Sequence, residues 1–226
     1  MKRYFFVKKL LSWFFKFIFK IKVVNPENRP PKDTPFVVCS NHAHFFDVVP
    51  IGIAFDQQIH FMAKKEVFKT PILRGVAKLM GAYAVDRGAG DVSAVKKSIE
   101  LLKSGESICI FPQGTRCPYI DLNETEPKNG IGMIASRAGV GIVPVCIRTK
   151  RNKMGLFRRT ELVVGKYLSP EEIEFPDLFG MEKSQAITKL AFDQIVEMNS
   201  QIERKPISEK KIQKTRDKIK RKSEHK

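Results

Sequence analysis

Short apolar runs alternate along this chain with segments whose apolar positions recur at helical spacing. Phe36-Val37-Val38-Cys39, Ile59-His60-Phe61-Met62-Ala63 and Ser107-Ile108-Cys109-Ile110-Phe111 predict buried strands, as do Ile142 to Ile147 and Glu161 to Gly165. Gly81 to Arg87 predicts a shorter strand with Asp86 and Arg87 at its end. Between these runs, Val48 to Ala54 predicts an apolar helix, and Ile72 to Met80 a short one after Pro71. Asp91 to Ser104, apolar at Val92, Val95, Ile99 and Leu102, predicts an amphipathic helix closed by Gly105. Ile131 to Ala138 predicts another helix, and Lys183 to Ile202 a closing one with Ile187, Ala191, Ile195 and Met198 on one face. Strands and helices alternating at this spacing predict a single α/β domain, its largely parallel or mixed sheet flanked by helices.

The first residues follow a different pattern. Lys2, Lys9, Lys16 and Lys20 fall on one narrow helical face, and Phe6, Leu10, Trp13, Phe14, Phe17, Ile18 and Ile21 spread over the wider opposite side. No uninterrupted apolar run reaches the ~18 residues of a spanning helix. The lysines also break the pattern of a signal peptide. Residues 1–24 are therefore expected to form an amphipathic helix on a membrane surface, with lysines turned to anionic headgroups. A helix packed on its own domain is the competing reading. Pro26, Pro30, Pro31 and Pro35 form a stiff connector into a body over residues 25–205. Beyond Pro206 the basic tail, 206–226, has three isoleucines in all to bury and is expected to be disordered or surface-bound.

Charge sharpens this division. The chain has 226 residues and a net charge of +17, most of it carried by the two ends. The first 24 residues hold seven Lys/Arg and no acid, and Glu203 to Lys226 holds eleven Lys/Arg against four acids. A nucleic-acid-binding fold would carry its basic excess on the body, so the expected partner is an anionic membrane leaflet, with no nucleic acid. Cys39, Cys109, Cys117 and Cys146 form no C-x-x-C pair and no metal spacing with the histidines. A reducing compartment is expected.

Candidate chemistry lies at strand ends, where α/β sheets gather ligands. Asn41-His42-Ala43-His44-Phe45-Phe46-Asp47 follows the first predicted strand of the body. An imidazole accepts and returns a proton near neutral pH, and a carboxylate on its second nitrogen sets the tautomer and stabilises the imidazolium. Asp47 with Pro50 also reads as an ordinary helix start. Phe111-Pro112-Gln113-Gly114-Thr115-Arg116 follows another strand. Its guanidinium suits bidentate phosphate binding, although a β-turn with a surface arginine has the same sequence.

NHAHFFD, GAYAVDR, FPQGTR and IVPVCI resemble, in order and at similar separations, the four blocks of the glycerolipid acyltransferases. The resemblance spans Asn41 to Ile147 and is nearest to the bacterial 1-acylglycerol-3-phosphate acyltransferases. It implies acyl transfer from an acyl carrier protein or coenzyme A thioester to the sn-2 hydroxyl of lysophosphatidate, giving phosphatidate. It implies His42 as general base, Asp47 as its orienting partner and Arg116 as a phosphate ligand. Arg87 and Lys64 become further contributors to acceptor binding, and His44 falls at a variable position. Gln113 departs from the family's usual glutamate, so a carboxylate role there is lost and the acceptor preference is open.

No cofactor or metal is expected for thioester chemistry, in which alignment, deprotonation and oxyanion stabilisation suffice. Backbone N–H groups near Gly114-Thr115 are the expected oxyanion donors. The expected location is the cytoplasmic side of the cell membrane, peripheral or monotopic. Three alternatives stay open: another acceptor such as glycerol 3-phosphate or a different lysophospholipid, a hydrolase using His42 on water, and a non-catalytic membrane-binding protein.

Overall fold

The computed structural model describes residues 12–85 and 92–224. β2 (Phe36–Ser40) is buried at every position, as suits a strand covered on both faces. It lies between β5 (Ser107–Ile110) and β6 (Gly141–Arg148), parallel to both. β3 (Ile59–Lys64) continues the parallel set beside β5, and β4 (Ala82–Val85) closes that edge. On the other side β7 (Thr160–Val164) runs antiparallel to β6, and β1 (Ile21–Val24) pairs parallel with β7. Among the described residues the sheet is thus mixed and seven-stranded, in the order β1-β7-β6-β2-β5-β3-β4.

Alternate side chains of β2 serve two different layers. Val37 and Cys39 pack with Leu102 of α4 (Val92–Lys103), Ile134 of α5 (Gly130–Ala138) and Ile187 and Ile195 of α6 (Gly180–Ser200). Phe36 and Val38 face the opposite layer, with Ile51 and Ala54 of α2 (Val48–Ala54) and Phe19 of α1, the helix over residues 12–19. α5 and α6 approach so closely that a Cβ on Gly132 would stand 2.2 Å from the Ser184 carbonyl oxygen. The short helix α3 (Pro71–Leu79) leads into β4. Because β2, β3, β5 and β6 run the same way, the loops after Ser40, Lys64, Ile110 and Arg148 emerge at one end of the sheet.

Two departures from expectation lie at the ends of the chain. The helix expected over 1–24 stops at Phe19. Lys20 turns the chain with φ 42°, and Ile21–Val24 is strand β1. The β-branched Ile21, Val23 and Val24 suit a strand, and β7, far along the chain, supplies the partner. Phe19 is 3% exposed, whereas Trp13 and Phe17 are 71% and 67% exposed. The helix thus packs on the body through one face and presents aromatic rings to solvent with another. Lys2, Phe6, Lys9 and Leu10 lie outside the described residues.

The second departure is the tail, where α7 (Glu209–Glu224) replaces the expected disorder. Its composition of Lys, Glu, Gln and Arg favours helix without needing an apolar face. Thr215 is buried, Arg216 pairs with Glu124 at 2.6 Å, and Lys222 donates to Thr115 Oγ1 at 3.2 Å.

Candidate active site

The loop after β2 is pinned before it reaches its histidine. Asn41, buried, donates through Nδ2 to the Ile147 carbonyl at 3.0 Å and accepts the Ile147 N–H on Oδ1 at 2.7 Å. The next residue, His42, is held at three points. Its backbone N–H donates to Gln113 Oε1 at 2.7 Å, and its carbonyl accepts the Cys117 N–H at 2.8 Å. Its ring lies on the Phe111 ring, centroids 4.1 Å apart and planes 16° from parallel.

Asp47 is completely buried, and its Oδ2 collects three donors: His42 Nδ1 at 2.9 Å and the Ala43 and His44 N–H groups at 2.7 Å each. An oxygen that only accepts suits a carboxylate. The same contact places the imidazole proton on Nδ1 and leaves the Nε2 lone pair to receive one. Nε2 has no hydrogen-bond partner among the described residues. Asp47 does stand at the start of α2, as its helix-start reading expects, but its side chain makes no bond to that helix: it reaches back into its own loop and completes the capping box of the turn Phe45–Asp47. His44 caps the turn Phe45–Asp47 by accepting the Phe46 N–H. Burial lowers the His44 pKa, Asp47 opposes that shift, and Lys153 and Arg116 add to it.

The FPQGTR loop stands opposite. Gly114 has φ +64°, which favours glycine, and its N–H donates to the Phe111 carbonyl at 3.0 Å. The Gly114 N–H, one of the two expected oxyanion donors, therefore serves the turn. Gln113 is buried and points into the protein: Oε1 holds His42, and Nε2 donates to Thr125 Oγ1 at 3.4 Å. The Thr125 hydroxyl is itself donated to the Leu122 carbonyl at 2.9 Å, so it can only accept from Gln113. An amide satisfies both ends of this chain of bonds; a carboxylate could not donate to Thr125. Gln113 thus braces the His42 loop through both ends of its amide.

Arg116 is exposed and lines a cavity of about 320 Å³ with Ala43, His44 and Phe45 on one side and α7 on another. Lys64 ends β3 at the same end of the sheet, exposed. Arg87 lies outside the described residues. A larger cavity of about 600 Å³ beyond Lys153 contains neither His42 nor Asp47. No group of three His, Cys, Asp or Glu placed to hold a metal occurs among the described residues. All four cysteines are buried thiols, and burial raises each of them, Cys117 to about 11. The thiols therefore stay protonated near neutral pH and are poor nucleophiles. Sequence reasoning overlooked Asn41, Phe111, Thr125 and the lysines of α7. Asn41 and Phe111 lay inside quoted blocks, but only their distant partners reveal what they do.

A mixed α/β sheet with an imidazole–carboxylate pair beyond its parallel strand ends is an arrangement suited to moving a proton at a reacting group. The chain belongs to the acyltransferase family, whose model matches residues 20–148. It is 33% identical over 187 residues to the 1-acyl-sn-glycerol-3-phosphate acyltransferase of Bacillus subtilis, covering 81% of this chain and 90% of that one. The Streptococcus pneumoniae protein of the same name is 32% identical over 139 residues, 60% of this chain and 50% of its own length. The crystal structure of the 1-acyl-sn-glycerophosphate (LPA) acyltransferase PlsC from Thermotoga maritima superposes with a TM-score of 0.66 at 23% identity, covering 89% of this chain and 83% of that one.

Proposed function

We propose that this acyltransferase esterifies the free hydroxyl of 1-acyl-sn-glycerol-3-phosphate with a fatty acyl group from an acyl carrier protein or coenzyme A thioester. The observation that carries the mechanism is the 2.9 Å contact from His42 Nδ1 to buried Asp47, which turns Nε2 outward as a proton acceptor. The acceptor oxygen attacks the thioester carbonyl while Nε2 takes its proton. The Thr115 N–H is the proposed donor to the oxyanion that forms. Collapse breaks the carbon–sulfur bond, and the imidazolium returns its proton to the leaving thiolate. The products are phosphatidate and a free thiol, with no covalent enzyme intermediate and no cofactor.

Arg116 is the proposed ligand of the acceptor phosphate, with Lys64 and Arg87 as further contributors. The proposed location is a membrane surface on the cytoplasmic side. Trp13 and Phe17, exposed on α1, support it, as do Leu156 and Phe157 at 64% and 60% exposure, with Phe17 and Phe157 in edge contact at 6.3 Å. No helix among the described residues is long and apolar enough to cross a membrane. The test is a lipid-product assay with purified full-length protein, both donor types and several acceptors. Phosphatidate from lysophosphatidate is expected. Free fatty acid alone, or acylation of a different acceptor only, would overturn this reading.

A further inference from the structure

The cavity beside the His42 loop has an unusual lining. Arg116, Lys153, Lys211, Lys214, Lys218 and Lys222 all border its roughly 320 Å³, and no acidic side chain does. They come from three separate parts of the chain: the FPQGTR loop, the segment after β6, and α7. Gathering like charges around one space is unfavourable unless an anion shares it, and a cleft lined by one sign of charge concentrates the opposite sign.

The helix is fastened where this matters. Lys211, Lys214, Lys218 and Lys222 recur at helical spacing and so share one side of α7. Lys222 donates to Thr115 Oγ1, and Arg216 pairs with Glu124 on the segment that follows the FPQGTR loop. That loop is tied in turn to the base, since the Cys117 N–H donates to the His42 carbonyl. The wall of lysines is therefore registered against Arg116 and His42 through hydrogen bonds.

We propose that α7 forms one wall of the acceptor-phosphate site, with Lys214 and Lys218 joining Arg116 around the phosphomonoester. This rests on the acceptor assigned above and goes beyond it: the C-terminal helix reads the charge of the head group. A phosphomonoester carries about −1.5 to −2 near neutral pH, so a wall of cations favours it over an uncharged lysolipid.

The test uses the full chain and two double variants, Lys214→Gln/Lys218→Gln and Lys214→Arg/Lys218→Arg. Both pairs are exposed on a helix that tolerates glutamine and arginine, and unchanged melting temperatures check the fold. Lysophosphatidate below its micelle concentration, without vesicles, removes any contribution from membrane attraction. The glutamine pair should raise the KM for lysophosphatidate about tenfold or more, leaving kcat, donor KM and the rate on monoacylglycerol within about twofold. The arginine pair should stay close to the parent. An unchanged acceptor KM, or a change confined to the donor, overturns the proposal. Calorimetry with glycerol 3-phosphate decides it separately from turnover. The glutamine pair should bind this probe about tenfold more weakly, and equal affinity overturns the wall even where the parent enzyme acylates lysophosphatidate. A parent that makes no phosphatidate yet shows that affinity loss overturns the acceptor assignment and leaves the anion site standing.

Discussion

The backbone N–H of His42 donates to the side-chain oxygen of Gln113 at 2.7 Å, so the loop carrying His42 and the loop carrying Arg116 form one hydrogen-bonded unit. The Cys117 N–H, donated to the His42 carbonyl, closes the same unit from its other side. Gln113 holds the His42 loop and has both polar ends engaged within the protein.

Replacing Gln113 by alanine should leave the half-buried His42 N–H without its partner, at a cost of up to about 1–3 kcal/mol. The expected result is a fall in kcat of about tenfold or more, with acceptor KM within about twofold. Gln113→Glu keeps an oxygen for His42 but faces the Thr125 oxygen with a second acceptor, so a smaller loss of kcat is expected. Steady-state kinetics on both variants check this. An effect confined to acceptor KM would put Gln113 against the substrate after all.

The two faces of α1 make opposite forecasts. Phe19→Ala removes a ring that is 3% exposed, and core truncations of this size cost about 3–5 kcal/mol, so the melting temperature should drop. Trp13→Ser with Phe17→Ser should leave the melting temperature within a few degrees and weaken flotation with anionic liposomes by roughly tenfold, given what each exposed ring gains on insertion. Flotation equal to the parent would remove α1 from the membrane interface. Deleting residues 1–24 is no clean test, because it also removes strand β1.

Much of this fold could be read from local pattern. The buried run Phe36 to Cys39 and the apolar run before Pro112 announced strands, and their ends carried the candidate chemistry. Strand β1 was hidden because lysines and aromatics at helical spacing run without a break into Ile21, and its pairing with Thr160–Val163 is invisible locally. Helix α7 was missed because its hold on the body is ionic rather than apolar, through Glu124, 92 residues away. The bracing role of Gln113 was not legible because its partners, His42 and Thr125, lie 71 and 12 residues away in sequence. His42 and Asp47 were legible because both lie in one short loop.

His44 gives stability a pH dependence. Burial lowers its pKa below the ordinary imidazole value, so between the two values the unfolded chain binds more protons. Its contribution is fully present above the unfolded pKa, about 6.5, and is lost as pH falls through the folded value. The parent should therefore lose more stability than His44→Gln between about pH 7 and pH 5. Denaturant melts of both proteins across that range check the sign, and parallel losses would contradict it.

The most direct measurement is phosphatidate formation by His42→Ala, with lysophosphatidate as acceptor and the donor that supports the parent enzyme. A general base contributes about 10²–10⁴-fold. A loss of kcat on that scale is expected, with an unchanged melting temperature and acceptor KM close to the parent's. Turnover within a few-fold of the parent would contradict it, because no other group in this account takes the acceptor's proton.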